Sequence, residues 1–174
     1  MELILDRIET PIGRLLVAAD EKGSLYAVHF AEHRTSLESC LESRYGKQGY
    51  RMDPASDRLA AAEALTRYFA GELTAIDELP VKAEGTEFQQ EVWRELRRIR
   101  CGTTISYGDL AKRIGRPAAV RAVGLANGSN PIAVVVPCHR VIGSDGSLTG
   151  YGGGMERKAW LLRHEGALVA RTLF

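Results

Sequence analysis

The sequence predicts an α/β protein of two domains, the first built on a small antiparallel sheet and the second mostly helical. Three short apolar-alternating segments lie within the first 30 positions, separated by turn sequences. Helical periodicity dominates after residue 85, where two helical segments flank a glycine-containing turn. An apolar run, 132–136, then leads into Pro-Cys-His at 137–139, which predicts a buried strand that presents a cysteine at its end.

The first half is predicted to begin with an antiparallel meander. Its strands cover residues 2–9, 14–19 and 25–30, with turns at T-P-I-G (10–13) and E-K-G-S (21–24). Helices are predicted at 34–45 and 56–70, each ended by a glycine. No residues in this half group like a catalytic cluster, so its apolar positions are interpreted as core.

Residues 72–85 are interpreted as the connection between the halves. This stretch contains Pro80 and four acids and has no helical period. We therefore expect an N-terminal domain over 1–78, a connection over 79–85 and a C-terminal domain over 86–174.

The second half is predicted to carry a helix-turn-helix. Thr86 and Gln89 form a capping-box pattern before a helix over 87–99. Ser106 then caps a helix over 107–114, G-R-P at 115–117 breaks it, and a second helix covers 118–127. That second helix is nearly bare, with alanines and a glycine around Arg121. Such a surface suits insertion into a narrow groove, although an alanine-rich packing helix with one surface arginine is an equally good reading in isolation.

Cys138 is the candidate nucleophile. A cysteine in an apolar setting usually fills core volume, but here a titratable histidine, His139, follows directly. A thiol attacks as the thiolate, so its pKa of about 8.5 must be lowered by a basic neighbour. Direct contact between adjacent side chains is awkward, so a bridging water is expected, with Glu165 orienting the other imidazole nitrogen. Glu165 falls in the last turn of a helix over 155–165, where an acid opposes the helix dipole and needs a cationic or donor partner.

The composition narrows the function classes. Three widely spaced cysteines fit a reducing cytoplasm rather than a disulfide framework, and no ligand set for zinc is present. No apolar run is long enough to cross a bilayer, and the N-terminus does not read as a signal peptide. Residues 1–84 carry 10 Lys/Arg against 15 Asp/Glu, whereas residues 85–174 carry 13 against 7. The basic second half suggests a polyanionic partner.

At this point the motifs resemble the O6-alkylguanine-DNA alkyltransferases, most closely their short bacterial forms. The likeness lies in P-C-H-R-V with the upstream N-P, in S-Y-G-D-L-A…A-A-V-R-A-V-G-L-A-N-G-S-N, and in T-G-Y-G-G-G…W-L-L-R-H-E-G. These segments span the whole C-terminal half, and the N-terminal half matches in its layout. The resemblance implies a ribonuclease H-like N-terminal domain and a DNA-binding C-terminal domain.

The resemblance also implies a function, direct-reversal DNA repair without a cofactor or metal. Such a protein binds double-stranded DNA through the minor groove and flips O6-alkylguanine, or O4-alkylthymine, out of the stack. It then transfers the alkyl group once, to its own cysteine. A monomer that can cluster on DNA is implied as well.

The resemblance assigns roles residue by residue. Cys138 would be the acceptor, His139 and Glu165 its water-linked relay, and Asn130 the hinge between the recognition helix and the active-site turn. Tyr107 would donate toward the departing guanine. The pocket would be lined by the Val141 carbonyl and the backbone of Tyr151 and Gly152. Arg121 would fill the gap left by the flipped base, and the remaining DNA contacts would come from Ala119, Val120, Ala122, Gly124 and Ser144.

The sequence departs from the family pattern at two places, and two other functions are compatible with the same residues. Some members carry a hydroxyl side chain where this chain has Gly152, and the zinc ligands of some relatives are missing. A cysteine hydrolase could use the same Cys, His and Glu but leaves Arg121 and the bare helix unexplained. A DNA-binding regulator that senses alkylation would bind a specific sequence through the major groove.

Overall fold

The structure, a computed structural model, describes residues 1–33 and 35–167 and divides the chain into two compact units. One unit comprises residues 1–84 with 131–135, and the other comprises 85–130 with 136–167. The predicted α/β class, with a sheet and helices in the first half and a mostly helical second half, is confirmed. The predicted domain limits stay a prediction, but residues 131–135 cluster with the first unit and not with the second.

The first unit is built on a four-stranded sheet. Its strands are β1 (Glu2–Thr10), β2 (Gly13–Ala19), β3 (Leu25–Phe30) and β4 (Arg51–Pro54), in the order β3-β2-β1-β4. The meander β1-β2-β3 is antiparallel as predicted, and β4 pairs parallel with β1. The prediction of three strands was therefore wrong by one. β4 is short, charged and ends in proline, which is tolerated at a sheet edge and gives no alternating pattern.

Two helices complete this unit, and both begin later than predicted. α1 (Leu37–Tyr45) starts after Ser36, whose side chain accepts a hydrogen bond from the Ser39 amide; position 34 of the predicted helix lies outside the described residues. α2 (Ala60–Phe69) starts after Leu59, whose amide donates to the Asp6 carboxylate of β1 at 3.0 Å. Leu37 and Leu41 of α1 pack on the sheet residues Leu3, Leu5, Ala18 and Ala27.

The second unit contains α3 (Glu87–Leu96), β5 (Ile105–Ser106), α4 (Tyr107–Arg113), α5 (Val120–Gly128), β6 (Val141–Ile142) and α6 (Met155–His164). The predicted capping box of Thr86 and Gln89 is present, and Ser106 caps α4. α4 and α5 form the predicted helix-turn-helix, and the Trp93 indole N–H of α3 donates to the Ala126 carbonyl at 2.8 Å. This bond fixes α5 against the body of the unit.

The predicted strand over 132–136 was wrong. Only Ile132 forms a bridge, to Val28, and the chain then turns. Val134 has φ 70°, and the Val135 amide donates to the Ala133 carbonyl at 2.8 Å, which is the pattern of a γ-turn. A β-branched residue rarely adopts this backbone, so the apolar composition could not reveal it.

Within residues 1–33 and 35–167, no helix combines the length and the apolar character that crossing a bilayer requires.

Candidate active site around Cys138

A proline turn, and not a strand, positions Cys138. Pro137 has φ −82° and ψ 64°, and the Cys138 amide donates to the Val136 carbonyl at 2.8 Å, as in an inverse γ-turn. The Asn130 side-chain amide donates to the same carbonyl, also at 2.8 Å. Cys138 then opens a 3₁₀ helix over Cys138–Arg140. The proline ring presets φ for this turn, and Asn130 ties the end of the helix-turn-helix segment to it.

The Cys138 thiol is buried. Burial raises its pKa, and the hydrogen bond from Asn130 and the charge of Lys158 oppose this effect without reversing it. The Asn127 amide of α5 lies 3.4 Å from the Cys138 carbonyl. The resting side chain is therefore a protonated thiol, and it must give up its proton before it can attack.

Behind the cysteine lies a buried network of His139, Arg140 and Glu165. His139 Nε2 lies 2.9 Å from Glu165 Oε1, and the Arg140 guanidinium donates to both oxygens of the same carboxylate at 2.9 Å. Arg140 also donates to the Ile99 carbonyl at 2.6 Å. Glu165 caps the C-terminus of α6, where the helix dipole disfavours an acid. Arg140 is the cationic partner that the sequence required but did not identify.

The network fixes the tautomer of His139. Burial alone would raise the pKa of Glu165, but the interactions with His139 and Arg140 lower it well below its ordinary value, so the carboxylate is ionised and can only accept. Burial lowers the pKa of His139, which keeps the imidazole neutral at pH 7. Its proton must therefore lie on Nε2, toward Glu165. Nδ1 is left as an acceptor, and it is buried with no hydrogen-bond partner in the described part of the chain.

Lys158 is a second cation that the sequence analysis missed. Its side chain is fully buried, and Nζ donates to the carbonyls of Val141 at 2.6 Å and Thr149 at 2.8 Å. Burial lowers its pKa to about 8. The signal was available: Lys158 stands three and four residues before Leu161 and Leu162, on the apolar side of α6. Lys158 joins Val141 to the loop that contains Thr149.

The predicted pocket residues lie around this loop. The Tyr107 hydroxyl donates to the Thr149 carbonyl at 3.0 Å, and burial raises the pKa of Tyr107, so the hydroxyl keeps its proton at neutral pH. The Val141 carbonyl is held by Lys158. The Tyr151 hydroxyl is buried without a hydrogen-bond partner among the described residues, and Gly152 is half-buried in the turn that follows.

The predicted DNA-contacting residues lie at the N-cap of α5, along α5 and on one turn. Val120, Arg121 and Ala122 are exposed, and Ala119 and Gly124 are half-buried. The Arg121 side chain forms no hydrogen bond or ion pair with any described residue. Ser144 is exposed in the 143–147 turn. The inner side of the same helix carries Asn127, which links it to the Cys138 carbonyl.

No three His, Cys, Asp or Glu side chains among residues 1–33 and 35–167 are grouped so that they could hold an ion.

Comparison with known proteins agrees with these motifs. Residues 4–83 match the 6-O-methylguanine DNA methyltransferase ribonuclease-like domain, and residues 87–167 match the DNA binding domain of the same family. The chain is 50% identical over 169 residues to the methylated-DNA–protein-cysteine methyltransferase of Shigella flexneri, with 97% of this chain and 99% of that protein covered. It is 46% identical over 159 residues to the protein of the same name from Methanosarcina acetivorans, with coverages of 91% and 96%.

Solved structures give the same result. The crystal structure of Mycobacterium tuberculosis OGT in complex with DNA is 42% identical in sequence, with a TM-score of 0.78, and the match covers 96% of this chain and 94% of that chain. The resemblance found in the motifs is thus confirmed by sequence and by fold: this chain belongs to the 6-O-methylguanine DNA methyltransferase family.

Proposed function

We propose that the protein repairs double-stranded DNA by moving the alkyl group of O6-alkylguanine, or of O4-alkylthymine, to Cys138, once per molecule. One observation carries the proposal. His139, next to the buried thiol, is held by Glu165 and Arg140 as the neutral tautomer with an acceptor at Nδ1. A protonated thiol needs a base at this place.

The chemistry balances as a single displacement. The Cys138 proton passes through a bridging water to His139 Nδ1, and the thiolate sulfur attacks the alkyl carbon. The S–C bond forms as the C–O6 bond breaks, and the bond electrons leave with the guanine. Tyr107, which keeps its proton at neutral pH, donates toward the departing base. The product is a thioether with no good leaving group, so the thiol is not regenerated.

Access to the base requires flipping. An alkyl group on a stacked base is out of reach of a buried thiol, and extrusion costs a few kcal/mol. The outer side of α5 is nearly bare and carries the exposed cation Arg121, which suits a narrow minor groove and a side chain that replaces the flipped base. The carbonyl of Val141 and the backbone of Tyr151 and Gly152 would then line the guanine pocket, and Ser144 would meet a phosphate. The protein acts in this proposal as a cytoplasmic monomer.

Arg121→Ala is expected to slow repair of a paired O6-methylguanine by about 10- to 100-fold, because the side chain that fills the gap left by the flipped base is removed. Reaction with free O6-benzylguanine, which needs no flipping, should stay near the wild-type rate. Parallel rate measurements on both substrates check this. Equal losses on both would show that Arg121 acts in folding and not on DNA.

Gly124→Ala is expected to raise the stability of the protein and to weaken its binding to duplex DNA. A Cβ at Gly124 would lie 3.9 Å from the Tyr107 ring, an ordinary contact, and the residue does not have positive φ. Alanine should therefore stabilise α5 by about 0.5–1 kcal/mol. It should also weaken duplex binding by adding bulk to the groove-facing side. Thermal unfolding and duplex titrations check both effects; a loss of stability would contradict the packing argument.

A time course with excess O6-methylguanine duplex tests the proposed function itself. Methyl transfer should stop after one equivalent per protein. Continued turnover, or catalytic cleavage of esters or amides, would favour a hydrolase. Tight binding to one undamaged sequence without transfer would favour a regulator.

A further inference from the structure

α5 exposes a large apolar side chain that none of the roles above uses. Leu125 is 78% exposed, and in the described part of the chain only Met1 at 43% and Val120 at 40% are other large hydrophobic residues classed as exposed. The inner side of α5 is already occupied, because Val123, Ala126 and Asn127 are buried. A single exposed leucine is ordinary on a protein surface. A functional role for Leu125 therefore has to be argued from the residues around it.

Leu125 lies on the same face of α5 as Arg121. Arg121, Leu125 and Gly128 are spaced i, i+4 and i+7, which places them along one side of the helix. A Cβ at Gly128 would meet nothing within 4 Å, and Gly128 does not have positive φ. The fold therefore does not require glycine at this position. Arg121 and Leu125 protrude from an otherwise smooth surface.

The charge of this face fits one occupant. α5, V-R-A-V-G-L-A-N-G, contains no acidic residue that would repel phosphates. The exposed Arg121 guanidinium has no carboxylate partner in the described ranges. Apolar side chains beside basic ones are the usual means by which proteins enter the minor groove, where they pack on sugars or wedge between base steps.

We infer that Leu125 packs in the minor groove beside the lesion and sets the preference of the protein for duplex substrates. This inference rests on the proposed function. Side chains at i and i+4 are about 5–6 Å apart, and nucleotides of one strand are about 3.4 Å apart. Leu125 therefore reaches the sugars one to two nucleotides from the position that Arg121 fills. It holds the opened duplex, whereas Cys138 performs the transfer.

Leu125→Ala tests the inference with little risk to the fold, since alanine is a good helix former and the side chain is exposed. Burial of a leucine corresponds to a factor of about 10–100 in affinity. We expect duplex repair and duplex affinity to fall by roughly tenfold or more, with no change for free O6-benzylguanine. Leu125→Met should stay near wild type and Leu125→Gln should resemble Leu125→Ala. The slope of log affinity against log salt should stay constant, because no phosphate contact is lost.

Several outcomes would overturn the inference. Wild-type rates of Leu125→Ala on duplex would show that the side chain is idle, and equal losses on free base would place its effect in the fold. A changed oligomeric state in light scattering would assign the face to a second copy of the chain. If the wild-type protein transferred no methyl group, that result would refute the proposed function and not the role of Leu125 in binding. Affinities for alkylated duplex in the Cys138→Ser background would then still report on Leu125 alone.

Discussion

Cys138→Ser is expected to abolish alkyl transfer while duplex binding persists. A serine hydroxyl fits the same space but has no accessible anion near pH 7, and His139 is too weak a base to generate one. The rate should fall by at least about 10⁴-fold, below detection in most assays. Because Arg121 and the outer side of α5 are unchanged, affinity for alkylated duplex should stay within about twofold of wild type.

The other two cysteines provide matched controls. Cys40 is buried in the first unit, and Cys101 is half-buried in the second. Cys40→Ser and Cys101→Ser should both retain one equivalent of transfer per molecule. Transfer by the Cys138→Ser variant, or its loss in either control alone, would refute the assignment of the nucleophile.

Glu165→Gln is expected to reduce both stability and transfer. Glutamine keeps the shape but removes the charge that compensates the buried Arg140 guanidinium. Breaking one side of a buried pair costs about 3–5 kcal/mol. The variant also replaces the anionic acceptor of His139 Nε2–H by a neutral amide with one acceptor oxygen and a donor NH2, which holds the His139 tautomer less firmly. Transfer should therefore slow by about 10²- to 10⁴-fold. Denaturant unfolding and single-turnover rates measure the two effects.

The stability loss should depend on pH in a defined direction. The pKa of Glu165 is depressed in the folded protein, so its stabilising contribution is complete above the unfolded value of about 4.3. It is lost as the pH falls below that value toward the folded pKa. The difference between wild type and Glu165→Gln should therefore be largest near neutrality and shrink below about pH 4. Glu156→Gln, an exposed acid in the first turn of α6, should cost little at any pH. A difference that grows on acidification would contradict the buried ion pair.

Elements that depend on local hydrogen bonds could be predicted from the sequence more reliably than the path of the backbone around Cys138. The helix N-caps and the helix-turn-helix could be predicted because local hydrogen bonds determine them, as at Thr86 and Ser106. The Cys138 segment could not, since its apolar composition favours a strand, whereas tertiary bonds from Val28 and Asn130 stabilise successive turns. β4 was missed because its pairing with β1 depends on a partner some fifty residues away.

Long-range pairing also explains the parts of the site that were not found. Glu165 was expected to have a cationic partner, but nothing in the sequence selects Arg140 among the many arginines of the second half. Lys158 was overlooked because lysine is usually exposed, although its register on α6 placed it with Leu161 and Leu162. Arg140 and Lys158 are the two buried cations of the site. The motif P-C-H-R had already indicated its thiol, Cys138, and its acceptor nitrogen, His139 Nδ1.

The most direct test of the account is the mass of the protein, whole and digested, after exposure to duplex DNA containing O6-methylguanine. We expect one hydrogen of the protein to be replaced by one methyl group, and the modified peptide to carry it on Cys138. The DNA strand that carried O6-methylguanine should afterwards contain unmodified guanine at that position. An unchanged protein mass alongside repaired DNA, or a methyl group on any other residue, would contradict the central claim that Cys138 is a single-use acceptor.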